Sequence, residues 1–328
     1  MTRSTTSCAS PRVSVIVEGY NESFDLGRAA TTLAHLERQD LPCNEVEVIL
    51  VGSPEQVSEW RPLREENHRF FDVRLIGMHA HYYALKNHGA LVARADIVAF
   101  LDSDTVPVEA WLRSILESME AGAEVSAGLT LFGGDSARRP DPPLRRVAAS
   151  ISWGFVVGDT KGSARGFLSH NLAIKRDTFR AHPYREDLGR TCAGSFLYDE
   201  LARSGAKIVL HPSQRVAHNF SFGWWLGRLH VRFGHEVARL RRLNLQAPHR
   251  YLRWVPWAEP ILTAAWHVML DYPQWWRYSR ARGGSLLSTI ALVPALTVLS
   301  VLARSAEMLG MYATVLFPER MARFAASN

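Results

Sequence analysis

Apolar residues in the first third of the chain fall in short β-branched runs, and stretches of helical spacing separate them. The first run is Val13-Ser14-Val15-Ile16-Val17, which ends in the polar loop Glu18-Gly19-Tyr20-Asn21-Glu22. Such a run predicts a buried strand. From Asp25 to Gln39 the apolar positions Leu26, Ala29, Ala30, Leu33 and Leu36 recur with a helical period. Glu45 to Val51 predicts a second strand, closed by Gly52-Ser53-Pro54, and Val73 to Ile76 a short third. Tyr82 to Ala93 predicts a helix and Asp96 to Leu101 a fourth strand. Strands alternating with helices imply a parallel sheet with crossover connections. Pro107 to Ala121 predicts a further amphipathic helix, with proline in its first turn.

The pattern is thinner in the middle of the chain. Gly133 to Pro143 and Gly162 to Gly166 predict loops, and Phe196 to Ser204 a helix. Ile208 to Leu210 predicts a short strand ended by His211-Pro212, so the globular part is expected to close near His218. After Phe222 the character changes. Trp224 to Leu243 predicts a basic amphipathic helix carrying Arg228, Arg232, Arg239, Arg241 and Arg242. Pro256 to Leu270 is a shorter apolar segment, interrupted by Glu259. Leu286 to Ala303 is uncharged and apolar, with Pro294 in its middle and Arg280, Arg282 and Arg304 as flanks. At roughly 18 residues it sits at the lower edge of membrane-spanning length. Met308 to Phe317 is apolar but too short to span alone. Spanning, re-entrant and interfacial placements all stay open.

Charge and aromatic content sharpen the division. The chain has 328 residues, is 47% hydrophobic and carries a formal net charge of +6. From Asn219 onward thirteen Arg face five acidic residues, a local +8 that leaves the first 218 residues at about −2. Seven of the ten tryptophans lie between Trp224 and Trp276. Arg and Trp among apolar runs point to a membrane interface. A neutral body with a basic tail is not the compact basic face of a nucleic-acid binder. Cys8, Cys43 and Cys192 are scattered, which excludes a CxxC metal site and fits a reducing compartment. Met1 to Ser10 is polar, so no signal peptide is expected. His79 and His81 have HxH spacing but no neighbouring ligands in sequence, and a zinc site there is not expected.

The chemistry-bearing feature is Asp102-Ser103-Asp104, directly after Ile97-Val98-Ala99-Phe100-Leu101. Ligands bind outside the carboxyl ends of strands in open α/β sheets. Two carboxylates two residues apart at such an end can share one hard cation, whose other ligands come from a diphosphate. No GxGxxG follows the first strand, which excludes a dinucleotide-binding dehydrogenase.

Three segments, Val13 to Glu22, Ala84-Leu85-Lys86-Asn87-His88-Gly89-Ala90 and Ala99 to Asp104, occur in an order and spacing that resembles family 2 glycosyltransferases. The resemblance covers roughly residues 12 to 218. It implies an α/β GT-A fold, Rossmann-like with a mostly parallel sheet and flanking helices, to which a C-terminal helical, membrane-associated region is added. The organisation expected is a disordered 1–11, a glycosyltransferase domain over 12–221 and a basic, Trp-rich helical tail over 222–328. The activity implied is inverting transfer of a sugar from a UDP- or GDP-linked donor to a polyprenyl-phosphate or glycan acceptor. It would be assisted by Mn2+ or Mg2+ at the cytoplasmic face of a membrane, with membrane lipids as partners and no nucleic acid. A non-catalytic nucleotide-sugar-binding scaffold and a nucleotidyltransferase are the alternatives.

By the same resemblance Glu18, Tyr20, Glu22, Lys86, Asn87 and Asp102 bind the donor, and Asp102, Asp104 and His218 hold the metal. Gly166 stands for the family's glycine loop near the acceptor. Arg228 and Arg232, one helical turn apart, are candidates to clamp a phosphate. Two positions depart from the family pattern. The second strand ends in Gly52-Ser53 where members carry a base-reading Asp, and the catalytic Glu-Asp pair is replaced by Ala193-Gly194. Asp187 and Asp199 are the substitute base candidates. An acceptor that is already ionised, such as a lipid phosphate, needs no base.

Overall fold

The computed structural model describes residues 10–19, 26–66, 69–133, 142–188, 193–218, 221–242 and 257–326. Its centre is an eight-stranded mixed sheet of order β3-β2-β1-β4-β7-β6-β8-β5. In chain order the strands are β1 (Val13–Glu18), β2 (Val46–Gly52), β3 (Asp72–Gly77), β4 (Ile97–Asp102), β5 (Thr105–Pro107), β6 (Val125–Phe132), β7 (Leu172–Lys175) and β8 (Ile208–His218). The strands β3, β2, β1 and β4 run parallel, as the strand–helix alternation requires. Beyond β4 the sheet turns mixed. β7 is antiparallel to both β4 and β6, β6 is parallel to β8, and β5 is antiparallel to β8.

Alternate residues of each strand feed two cores, one on each face, as the period-two pleat demands. Val13, Val15 and Val17 pack on one side with the helices α1 (Leu26–Leu36), α2 (Pro54–Glu59), α3 (Arg61–Glu66) and α5 (Trp111–Glu120). Ile16 packs on the other with α4 (Tyr82–Val92), α6 (Pro143–Trp153), α7 (Arg176–Ala181) and α8 (Ala193–Arg203). Gly89 in α4 permits a close approach, because a Cβ there would lie 2.7 Å from Ile16.

The rest of the chain is helical: α9 (Phe222–Trp224), a π-helical segment over Trp225–His230, α10 (Val231–Arg242), α11 (Glu259–Ala281), α12 (Leu286–Ala291), α13 (Val293–Leu316) and α14 (Pro318–Ala326). These helices share a core with the sheet. Trp225, Trp275, Tyr278, Leu296 and Ala303 belong to the same buried cluster as Phe100, Leu129 and Trp153. Tyr278 donates its hydroxyl to the carbonyl of Thr130 on β6 (2.7 Å), and Gln274 donates to Ile151 of α6 (3.2 Å).

Several elements differ from the sequence expectation. β6, α6 and β7 were not expected at all. β8 does not stop at His211-Pro212 but runs to His218, and the proline sits where its ladder with β6 is irregular, between the Leu210 and Arg215 pairings. Such irregularities are where a residue without an N–H is tolerated. The segment from Leu286 to Ala303 is not one helix. It breaks at Leu292, and Pro294 occupies the first turn of α13, where a missing N–H costs nothing. α13 then absorbs Met308 to Leu316. By length and composition it is long and apolar enough to cross a membrane. The apolar segment expected to end at Leu270 continues to Ala281. Most of the loop predicted from Gly133 to Pro143 lies outside the described residues, and Pro143 opens α6.

Candidate active site

β4 ends at Asp102, and the turn Ser103-Asp104 leads into β5. His218, the last residue of β8, pairs with Thr105 on one side and Phe132 on the other, which sets it beside Asp104. The His218 Nε2 lies 3.6 Å from Asp104 Oδ1. His170, two residues before β7, comes from the opposite direction. Ligand atoms of Asp102, His170 and His218 all lie within 4.8 Å of one another. The three side chains are buried, at 4%, 8% and 5% exposure.

Packing fixes the rings. The Trp153 indole stacks on His218 at 5.8 Å with 5° between planes, and His170 meets His218 edge-on at 5.3 Å. Thr130 Oγ1 lies 2.9 Å from His170 Nε2. Around Asp102 the Tyr82 hydroxyl donates to both carboxylate oxygens (2.8 and 3.0 Å), and Lys86 Nζ donates to Oδ1 (2.7 Å). Burial alone would raise the Asp102 carboxyl, but the fully buried Lys86 ammonium leads the groups that hold it well below the usual carboxylate range. Burial pushes His170 down to about 3, so its imidazole is neutral at physiological pH.

One ionised carboxylate and two imidazoles suit a divalent cation, since metal ligands must be deprotonated. Asp102 keeps capacity for it: two of its three hydrogen bonds fall on Oδ1 and one on Oδ2, while a carboxylate offers about four acceptor sites. The site opens into a pocket of about 130 Å³. Its walls include Tyr83, Trp153, Phe155, Phe167, Trp224 and Phe233, and Arg232 reaches it from α10.

A family model described as glycosyl transferase family 2 matches residues 14–182, just over half of the chain. The chain belongs to glycosyltransferase family 2. It is therefore a glycosyltransferase. No curated protein sequence matches the chain. Among solved structures, the mannosyltransferase PcManGT from Pyrobaculum calidifontis, in complex with GDP-Man and Mn2+, superposes with a TM-score of 0.57. It is 18% identical, over 95% of this chain and 88% of its own. S. aureus TarS (residues 1–349) superposes with a TM-score of 0.50 at 16% identity, over 94% of this chain and 91% of its own. At such identities the likeness is one of fold, the GT-A architecture.

The remaining residues singled out in the sequence are dispersed. Glu18 is buried at the end of β1, next to Asp102 across the ladder. Tyr20 and Glu22 lie outside the described residues. Asn87 clamps the loop after α7, donating to the Tyr184 carbonyl and Glu186 and accepting from the Tyr184 amide. Gly166 faces Phe155, whose ring would lie 2.9 Å from a Cβ there. Arg232 and Arg228 part company. Arg232 is 3% exposed and lines the pocket, while Arg228 lies over the Phe324 ring of α14, 5.7 Å from its centre.

Neither base candidate lines the pocket. Asp187 is exposed and paired with Arg185 (2.6 Å), and Asp199 is exposed on α8. His170 is the residue the sequence reading missed. Its only signal was a polar Ser169-His170-Asn171 directly before the apolar Leu172-Ala173-Ile174.

Proposed function

We propose that this glycosyltransferase moves a sugar from a UDP- or GDP-linked donor to an ionised acceptor, a polyprenyl phosphate, at the cytoplasmic face of a membrane. The observation that carries this reading is the meeting of Asp102, His170 and His218 at a pocket that also holds the buried cation Arg232. A nucleotide-sugar donor is supported by the fold neighbour captured with GDP-Man and Mn2+. When bound, Mn2+ or Mg2+ supplies Lewis-acid stabilisation of the departing diphosphate.

The chain's own residues do the rest. Lys86 and Tyr82 keep Asp102 ionised and fixed in place. Arg232 offers a guanidinium to an anionic group in the pocket. The aromatic walls keep bulk water from the reacting centre. The acceptor oxygen attacks the anomeric carbon as its bond to the diphosphate breaks, inverting that centre in one displacement. Asp102 is the only carboxylate among the described residues lining the pocket, and it is already engaged by Lys86 and Tyr82. A hydroxyl acceptor would need a general base within hydrogen-bonding reach. A phosphate oxygen, charged near neutral pH, does not.

The helical tail supports the membrane setting. Among the described residues, seventeen of the twenty-one exposed large apolar side chains lie between Trp257 and Phe317. On α13 the two faces are sharply different. Val298, Val301, Leu302 and Leu309 are exposed, while Arg304 and Glu307 point inward. Arg304 pairs with Asp271 (2.6 Å) and with Glu307, and His230 and His267 close on Glu307 at 3.3 and 3.0 Å. A helix whose charges are satisfied by protein on one side and whose other side is apolar suits a monotopic placement, lying in the interface. The arginines of the tail suit anionic headgroups.

Radiolabelled sugar nucleotides incubated with the full chain, Mn2+ and vesicles containing polyprenyl phosphate test the reading. Label is expected in the lipid fraction. Transfer confined to carbohydrate hydroxyls overturns the acceptor assignment.

A further inference from the structure

Along α11 the exposed side chains Leu262, Trp266, Met269 and Trp276 recur with a helical period, so one apolar stripe runs down the helix. Arg277 and Arg280 stand at the end of that stripe. A tight hairpin lies beside them, closed by a bridge between Val157 and Ala164. Its Gly158 amide donates to the Ser163 carbonyl (2.9 Å), and the Leu210 amide of β8 donates to the Gly162 carbonyl (2.9 Å), which ties the hairpin to the sheet. Asp159 and Lys161 are exposed at its tip, and Arg165 is exposed just after it. One carboxylate oxygen serves two guanidinium groups here. Asp159 Oδ1 accepts from Arg277 Nη1 at 3.1 Å and lies 3.8 Å from Arg165 Nη1. The Asp159 side chain is 68% exposed, whereas that of Arg277 is 19% exposed and its Nε is buried without a hydrogen-bond partner. Burial first, and the Arg165 guanidinium second, push Arg277 down from its ordinary value against the pull of Asp159. With Lys161 two residues from Asp159, three cations meet one solvent-screened carboxylate.

A cluster of this kind has room for a further anion, and phosphate oxygens match the fork of a guanidinium. The apolar stripe says which anion arrives. Trp276 has the amphipathic ring that sits at headgroup level, and basic residues at that level attract anionic lipids. Building on the membrane placement proposed above, we propose that Lys161, Arg165 and Arg277 bind the headgroup of an anionic phospholipid, with Asp159 as the internal anion that competes with it. The site lies at the mouth of the pocket. Arg165 leads into Gly166 and Phe167, and its amide donates to the Val156 carbonyl (3.0 Å), while Phe155 and Phe167 are pocket walls. α11 packs on the same segment, since a Cβ at Gly154 would lie 2.9 Å from Gln274. A headgroup held here therefore sets the pocket's opening against the bilayer surface.

Sedimentation of the full chain with vesicles of phosphatidylcholine, alone or mixed with phosphatidylglycerol, tests the site without donor or acceptor. The wild type is expected to prefer the anionic vesicles. Arg165→Gln and Arg277→Gln are each expected to weaken that binding about fivefold, and the double variant about thirtyfold, the share of one and of two basic residues near an anionic surface. Asp159→Asn removes the competing anion and is expected to strengthen it about fivefold, where a merely structural ion pair predicts no gain. Binding to phosphatidylcholine alone is expected to stay the same in every variant. Arg113→Gln, which removes an exposed cation from α5 on the other face of the sheet, is expected to change neither. Melting curves of each variant separate lost binding from unfolding. Equal binding to the two kinds of vesicle, or weaker binding in Asp159→Asn, overturns the headgroup site while leaving the membrane placement standing. Release from the vesicles by inorganic phosphate at constant ionic strength, or a preference seen only when the vesicles carry polyprenyl phosphate, overturns the phospholipid as its occupant. Absence of binding to either vesicle overturns the membrane placement as well.

Discussion

Asp102 and Lys86 form the buried pair on which the site's electrostatics turn. Replacing one partner of a buried pair leaves an uncompensated charge, at a cost of about 3–5 kcal/mol. Lys86→Met is accordingly expected to lower the melting point, and Mn2+ is expected to restore more of it than in the wild type, because the ion replaces the lost cation beside Asp102. Calorimetry with and without Mn2+ checks this, and equal shifts in both proteins would contradict it. The two arginines make a second contrast. Arg232→Gln is expected to slow transfer at least about tenfold, because a charge-assisted contact contributes about 1.5–3 kcal/mol. Arg228→Gln, which loses its place over Phe324 at 5.7 Å and does not line the pocket, stays within about threefold. Steady-state rates against acceptor concentration check both. At this scale the sequence showed the residues that close a strand. Asp102 and Asp104 sit at the end of β4 and in the turn beside it, where the apolar run from Ile97 to Leu101 points to them, while His218 was named only through the family resemblance. His170 precedes a strand of only four residues, too short to mark its own neighbour. Arg232 was legible as a cation, but its burial at the pocket, while Arg228 lies over Phe324, was not.

Elements were legible where their period was regular. The four parallel strands and the helices α1 and α4 stand in the sequence within a few residues of their observed ends, whereas α2 and α3, which join β2 to β3, were not expected. β6 was missed although Val125, Ala127, Leu129 and Leu131 alternate with Ser126, Gly128 and Thr130, because small and polar residues fill its second face, which is nevertheless buried. Gly128 is required there, since a Cβ would lie 2.1 Å from the Gln214 carbonyl. α13 was divided in the sequence by Arg304 and Glu307, which read as interruptions. In the fold they are internal, bonded to Asp271, His230 and His267. Arg304→Met is expected to cost about 3–5 kcal/mol by stranding Asp271 and Glu307. Burial would raise the Glu307 carboxyl, but Arg304 first, then His230 and His267, hold it well below its ordinary value. A depressed folded value gives stability that is complete above the unfolded value, about 4.3, and is lost as pH falls through the folded one. Glu307→Gln should therefore be less stable than the wild type at neutral pH, and the gap should close in acid. Chemical denaturation at pH 7 and pH 3 measures it, and a constant difference would contradict the assignment.

The whole molecule joins a nucleotide-handling sheet to an apolar platform through one continuous core, with Trp225, Trp275 and Tyr278 buried beside β6 and α6. The skew of arginine and tryptophan made the platform visible in the sequence. Its packing onto the sheet was not visible, because tertiary contacts between distant segments leave no periodic trace. Val298→Asp with Leu302→Asp places two charges on the exposed face of α13. Each replaced side chain forfeits about 1.5–3 kcal/mol of burial in lipid. Sedimentation with anionic vesicles is expected to fall more than about tenfold while the melting point holds, and unchanged binding would remove the platform from the account. The central claim is cation-assisted release of a nucleoside diphosphate from a sugar donor at Asp102. Phosphorus-31 spectra of a nucleotide sugar incubated with the full chain and lipid phosphate test it most directly. The account predicts nucleoside diphosphate as the product, formed with Mn2+, stopped by chelation and reduced at least about 100-fold in Asp102→Asn. Pyrophosphate release, an unchanged donor, or turnover indifferent to chelation would contradict it.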